Sequence, residues 1–176
     1  IFSLQLDEQT GLRDYNVNYP LVGATNNYTS DPYYGKKIAG GYYVSGEGSY
    51  VHHVGNYYYL FVTYGGLDSK GGYEMKVFRS QNPDGPFVAP NGTSAVYSSY
   101  QMNYGLNGIT LGEKIIGAYD DWGFMTVGTK GELSQGHNSV ITDAKGRTLL
   151  VYHTRFNDGT EGHQVRVHQL FSNQDG

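Results

Sequence analysis

The chain has 176 residues, 12 Lys+Arg against 16 Asp+Glu, and no cysteine, a length that suits one domain or a piece of a larger one. A net charge of −4 with no basic run lacks the clustered Lys/Arg footprint of a nucleic-acid binder, and no apolar stretch approaches the roughly 18 residues that would span a bilayer. The absence of cysteine removes disulfides, thiolate metal sites and thiol nucleophiles together, while 26 Gly and 18 Tyr in no collagen-like period point to turns and strands.

Ile1 to Asp7 alternate like a strand and meet a turn at Thr10-Gly11. With no initial Met and no charged, apolar leader, the chain reads as a portion of a longer polypeptide whose pairing partners lie upstream. Segment 14–46 is the longest stretch without a pattern, too long for a plain connector, and is read as a functional loop layer. Beyond it, apolar runs and alternations predict strands over 57–64, 73–79, 114–119, 139–142, 148–154 and 164–171. Turn chemistry separates them, as in Asn82-Pro83-Asp84-Gly85-Pro86 and Asn157-Asp158-Gly159.

A repeat emerges when these strands are laid side by side. The strand 57–64 is followed by 74–80 and Asn82-Pro83-Asp84-Gly85; the strand 147–154 is followed by 164–169 and Asn173-Gln174-Asp175-Gly176. Val62 and Val151 stand 89 positions apart, Val77 and Val167 90, and that spacing divides into two units of about 45 residues, the size of a propeller blade. The expectation is an all-β portion of a propeller, three blades and part of a fourth, too few to close a ring.

Most familiar catalytic motifs are absent. No Gly-rich run leads into a Lys-Ser/Thr phosphate loop, and Ser49 sits in Glu-Gly-Ser-Tyr rather than in a Gly-x-Ser-x-Gly elbow. The acceptor-like triplets Asn27-Tyr28-Thr29 and Asn91-Gly92-Thr93 are short enough to arise by chance. Glu47 is the first candidate. Gly46 and Gly48 let the backbone turn sharply around it, and a carboxyl crowded by tyrosines is partly desolvated, which favours the protonated form a general acid needs. The competing reading is an exposed loop glutamate. His137, in Gly136-His137-Asn138-Ser139 at the mouth of a strand, is open to three readings: metal ligand, substrate contact or capping histidine. His52 and His53 fall on opposite faces of a strand, and His153, His163 and His168 read as structural. Asp120-Asp121 suits either a calcium ion or a solvated turn, and Arg155 either a hydroxylated ligand or a carboxylate partner.

Taken together these motifs resemble glycoside hydrolase family 43, and within it the endo-acting α-1,5-L-arabinanases. The matching pieces occur in family order: Ser45-Gly46-Glu47-Gly48-Ser49-Tyr50, Gly55-Asn56-Tyr57-Tyr58-Tyr59-Leu60-Phe61, Tyr64-Gly65-Gly66-Leu67, Val77-Phe78-Arg79-Ser80, Gly136-His137-Asn138-Ser139, Tyr152-His153-Thr154-Arg155-Phe156 and Val165-Arg166-Val167-His168-Gln169. The resemblance implies a five-bladed β-propeller with an axial site, hydrolysis with inversion by three carboxylates, and an extracellular enzyme acting on arabinan. It places the general acid at Glu47 and puts at His137 the histidine that helps hold a calcium ion together with waters. Tyr50 and Arg155 become candidate substrate contacts.

The family's base aspartate and pKa-modulating aspartate have no counterpart here, since Asp7, Asp14 and Asp31 sit in no matching motif. The chain is therefore expected to run from the end of blade two through blade five: about 1–13 closing blade two, 14–46 as the loop layer, 47–90 as blade three, 91–135 as blade four and 136–176 as blade five. Its expected partner, besides arabinan, is the N-terminal part of the same propeller. Two other functions stay open: an exo-acting β-xylosidase or α-L-arabinofuranosidase of the same family, and a non-catalytic carbohydrate-binding propeller piece. Whether loops such as 14–46 leave a through-groove separates endo from exo action.

Overall fold

Tyr57–Tyr64 forms the strand that its unbroken run of aromatic and β-branched residues predicts, and the run is unbroken because both of its faces are buried. Leu60, Val62 and Tyr64 join Phe78, Phe87, Ala89, Ala95 and Leu111 with Ile38 and Ala39 in one core cluster. Phe61, from the other face, joins Met75, Val140, Leu150 and Tyr152 in a second. One strand thus serves two cores, so the alternation that marks a half-wet strand never appears.

The computed structural model describes residues 1–19, 30–31, 34–41, 46–68, 70–97, 111–117, 131–156, 160 and 162–173. Its elements in chain order are β1 (Phe2–Ser3), β2 (Ser30–Asp31), β3 (Gly35–Lys37), β4 (Glu47–Val54), β5 (Tyr57–Tyr64), β6 (Glu74–Ser80), β7 (Glu113–Gly117), β8 (Glu132–Thr142), β9 (Thr148–Phe156) and β10 (Gln164–Leu170). They build three antiparallel sheets, ordered β1-β3-β2, β4-β5-β6-β7 and β10-β9-β8. Every element among the described residues is a strand, and no helix there is long and apolar enough to cross a membrane.

The middle and last sheets touch directly through β8, which packs on β4, β6 and β7. The expected division of this region into separate units at 47–90 and 91–135 does not match the sheet. β7, at Glu113–Gly117, hydrogen-bonds to β6 and is the fourth strand of the sheet that begins at Glu47. The physical reason is connection length: β6 and β7 are joined through 81–112, so residues expected to open the next unit return a strand to the same sheet. The last sheet likewise starts at Glu132, before the expected boundary at 136. β8 is eleven residues long, not the four of 139–142, because Ser134-Gln135-Gly136-His137-Asn138 carries no alternation for a sequence reading to detect. Its register against β9 shifts twice, between Leu133 and Gly136 and between Gly136 and Ser139. About half of segment 14–46 is described, and there the expected loop layer contributes β2 and β3, which join β1 in one sheet.

A charged triad is buried in the middle sheet. Glu74 Oε1 lies 3.0 Å from Lys76 Nζ and Glu74 Oε2 lies 3.0 Å from Lys114 Nζ, with Glu74 and Lys76 both nearly inaccessible. Removing the shared carboxylate strands a buried ammonium, so Glu74→Ala is expected to cost about 3–5 kcal/mol. Denaturant melts check this, and a loss under about 1 kcal/mol, the range of exposed pairs, would contradict it.

Candidate active site

Glu47 opens β4 opposite Thr63, at the end where β5 finishes, and the pairing slips between Glu47 and Tyr50. Across the seam between sheets, the bulged strand β8 brings His137 to the same place. Two non-glycine residues on β8 have left-handed backbone, Ser134 (φ 53°) and His137 (φ 52°), a conformation held only where surroundings over-determine it. The surroundings do so here. The His137 N–H donates to Thr63 Oγ1 at 2.9 Å, the Ser134 hydroxyl donates to the Leu67 carbonyl at 2.7 Å, and the Thr154 hydroxyl donates to the Leu133 carbonyl at 3.0 Å.

Two glycines make the approach possible. Gly48 (φ +56°) passes so close to β8 that a Cβ would lie 2.9 Å from His137 Cα. A Cβ on Gly136 would lie 2.5 Å from Thr63 Cγ2 and 2.6 Å from Tyr73 Cε1. The backbones of β4 and β8 therefore meet without side chains between them.

Tyr73, the buried residue just before β6, ties the pair together. Its hydroxyl donates to Glu47 Oε1 at 2.7 Å and lies 3.2 Å from His137 Nδ1, while that nitrogen is 3.9 Å from the same carboxylate oxygen. Burial first, then the hydrogen bond and charge of Glu47, push the phenol's pKa up, so it stays protonated at any ordinary pH. Behind Tyr73 stand more rings. His153 stacks on Tyr73 at 5.7 Å and on His137 at 6.3 Å, and meets His163 edge-on at 4.8 Å. Burial chiefly, with the neighbouring His163 and His137, lowers the His153 pKa, Glu47 pulling the other way, which keeps its imidazole neutral.

The structure thus joins Glu47 and His137, the two residues picked out by sequence, and leaves both accessible, with side chains 57% and 54% exposed. The expected crowd of tyrosines around Glu47 is represented among the described residues by Tyr73. Tyr50 and Arg155, the expected substrate contacts, both make contacts within the protein. Tyr50 is half-buried against the Phe61, Met75 and Leu150 cluster, because the slip after Glu47 turns it into the seam. Arg155 is 1% exposed and its Nε donates to the Ser134 hydroxyl at 3.1 Å, which braces the bulge. His52 and His53 do point to opposite sides: His52 Nε2 lies 3.2 Å from Thr142 Oγ1, and His53 stacks on Tyr58. Asp120 and Asp121 lie outside the described residues.

Sequence reasoning singled out neither Tyr73 nor Thr63 and read His153 as structural, because sheet pairing is what brings all three to the site. The tandem glycines Gly71-Gly72 before Tyr73 were the one available signal. An apolar cleft lined by His52, Val54, Phe61, Ile115, Leu170 and Phe171 opens at the far end of the same seam and contains none of these residues.

The sequence profile of glycosyl hydrolases family 43 matches residues 24–176. The chain belongs to that family. Among family relatives, an extracellular endo-α-(1→5)-L-arabinanase 2 of Bacillus subtilis (strain 168) is 39% identical over 184 residues, a match covering 100% of this chain and 35% of the relative. An extracellular endo-α-(1→5)-L-arabinanase of Thermotoga petrophila is 38% identical, again over 100% of this chain and 35% of its own length. The crystal structure of the Thermotoga petrophila RKU-1 endo-1,5-α-L-arabinanase superposes with a TM-score of 0.76 at 34% identity, covering 98% of this chain and 36% of that one. This family 43 chain thus spans about a third of the length of the relatives it matches.

Proposed function

We propose that this chain is the acid-bearing part of a five-bladed family 43 propeller that hydrolyses α-1,5-linked L-arabinan outside the cell with inversion. The observation that carries the reading is the carboxyl of Glu47, exposed to solvent on one side and hydrogen-bonded by Tyr73 beside His137 on the other. Support comes from the arabinanases that the chain resembles along its whole length. Glu47 protonates the departing glycosidic oxygen. A base aspartate, supplied by the upstream part of the propeller, activates a water on the opposite face of the sugar, with the two carboxyls about 6.5–9.5 Å apart. The complete protein contains this chain and that upstream part.

A calcium ion beside His137 belongs to the same proposal. Calcium takes six to eight oxygen ligands, and among the described residues no three His, Cys, Asp or Glu side chains converge on a metal position. What β8 does offer is one imidazole and the side-chain oxygens of Gln135 and Asn138, buried and without a hydrogen-bond partner. That set suits an ion held largely by water, with His137 as a protein contact; when bound, its field would favour ionised carboxylates nearby. Chelation of the complete protein is then expected to lower its melting temperature by a few degrees, and His137→Ala to abolish the response to added calcium. A response unchanged in His137→Ala would remove His137 from the site.

Product analysis on linear arabinan tests the main reading. Oligosaccharides of mixed length are expected. Release of single sugars from chain ends would favour an exo-acting relative, and binding without cleavage a carbohydrate-binding propeller.

A further inference from the structure

We propose that Tyr73 is the positioning residue of this site: its single hydroxyl proton fixes both where the Glu47 carboxyl sits and which nitrogen of His137 carries hydrogen. The inference rests on the reading of Glu47 as the acid, but its geometry stands apart from any substrate.

A phenol has one proton to give and lone pairs to accept with. At 2.7 Å from Glu47 Oε1 the shorter contact takes the proton, Oε1 accepting it both when Glu47 is ionised and when the acid proton sits on Oε2. Toward His137 Nδ1, 3.2 Å away, the phenol oxygen is then left as an acceptor. Nδ1 must carry the hydrogen for that contact to be a bond at all. The ring is therefore held with its hydrogen on Nδ1, and the tautomer this selects has its lone pair on Nε2, placed to accept from a hydroxylated ligand or a water. The reverse tautomer would set two lone pairs against each other at 3.2 Å inside a half-buried cluster.

The arrangement is built rather than incidental. Tyr73 is buried, and its ring is confined between Gly136, where a Cβ would meet Cε1 at 2.6 Å, and the His153 ring stacked at 5.7 Å. The His137 ring is set from the main chain by the bond from its own N–H to Thr63 Oγ1 at 2.9 Å. Glu47 has no such restraint of its own. It is more than half exposed, and the Tyr73 hydroxyl is the one hydrogen bond to its carboxyl among the described residues. Without that bond the side chain keeps its rotamer freedom and the acid is spread over several positions.

The test uses the complete protein with 15N-labelled histidine rings, at one fixed pH near neutrality, in wild type and Tyr73→Phe, with melting temperature as the control for folding. The wild-type spectrum is expected to show His137 with hydrogen on Nδ1 and a bare Nε2, and Tyr73→Phe to lose that fixed form. Turnover of arabinan by Tyr73→Phe is expected to fall about 10- to 100-fold with KM changed less than roughly twofold, as for a misplaced group rather than a lost binding contact. A wild-type His137 with its hydrogen on Nε2, or a ring signature identical in both proteins, overturns the proposal, and the wild-type measurement decides even if the variant does not fold. A complete protein that leaves arabinan intact while its His137 signature behaves as expected overturns the arabinanase reading and leaves the Tyr73 assignment standing.

Discussion

Glu47→Gln in the complete protein is expected to cut turnover of linear arabinan by about 10²- to 10⁴-fold, the range over which a positioned general acid acts. The leaving group in arabinan is a sugar alcohol, which departs poorly without a proton. An amide keeps the volume of the carboxyl and still offers an oxygen to the Tyr73 hydroxyl, now 2.7 Å from Oε1, so the local fold should survive. Aryl arabinosides, whose leaving groups depart as stable anions, need little help and should lose far less. The comparison isolates proton donation from binding, because a defect in binding would touch both substrates. Equal losses on the two, or no loss on either, would show that Glu47 is not the acid.

Residues 1–176 on their own are expected to show no hydrolysis of arabinan and to self-associate. An acid without the base cannot activate the attacking water. The sheet β10-β9-β8 also presents Val165 at 68% and Val167 at 53% exposure on its edge strand, followed by Phe171 at 84%. An uncovered apolar strand edge invites pairing with another chain. Addition of the upstream part, joined or as a second chain, should restore activity and suppress association together. Light scattering and reducing-sugar release measure the two. A monomeric, cooperatively melting 1–176 that cleaves arabinan would overturn the division of labour proposed here.

The strands that sequence located best were those with a clear apolar run or alternation. Tyr57–Tyr64 was bounded as observed, because a continuous apolar run between Asn56 and Gly65 leaves one reading. β8 was mostly invisible, since its polar first half is held by hydrogen bonds to Thr63 and Leu67 and from Thr154, which lie far away in sequence. The same contrast divides the site. Glu47 and His137 stood out because glycines flank or precede them. Tyr73 looked like the first residue of an ordinary strand, and nothing local to Arg155 revealed the Ser134 hydroxyl to which its Nε donates. The boundary expected at 90/91 falls inside a sheet, because a strand that returns to β6 after 81–112 carries no local sign of its partner.

The seam between the middle and last sheets carries a further consequence. Glu47 and Tyr73 ride on one sheet, His137 and His153 on the other, and the gap between them is set by Met75, Val140, Leu150 and their neighbours lower in the same seam. The site therefore behaves like the jaws of a clamp whose spacer is an apolar core. Shaving or swelling that spacer by one methylene would slide the jaws by fractions of an ångström, with no polar residue altered. Variants with shifted activity should consequently accumulate at apolar positions such as Val140, which no inspection of charges or hydrogen bonds would nominate.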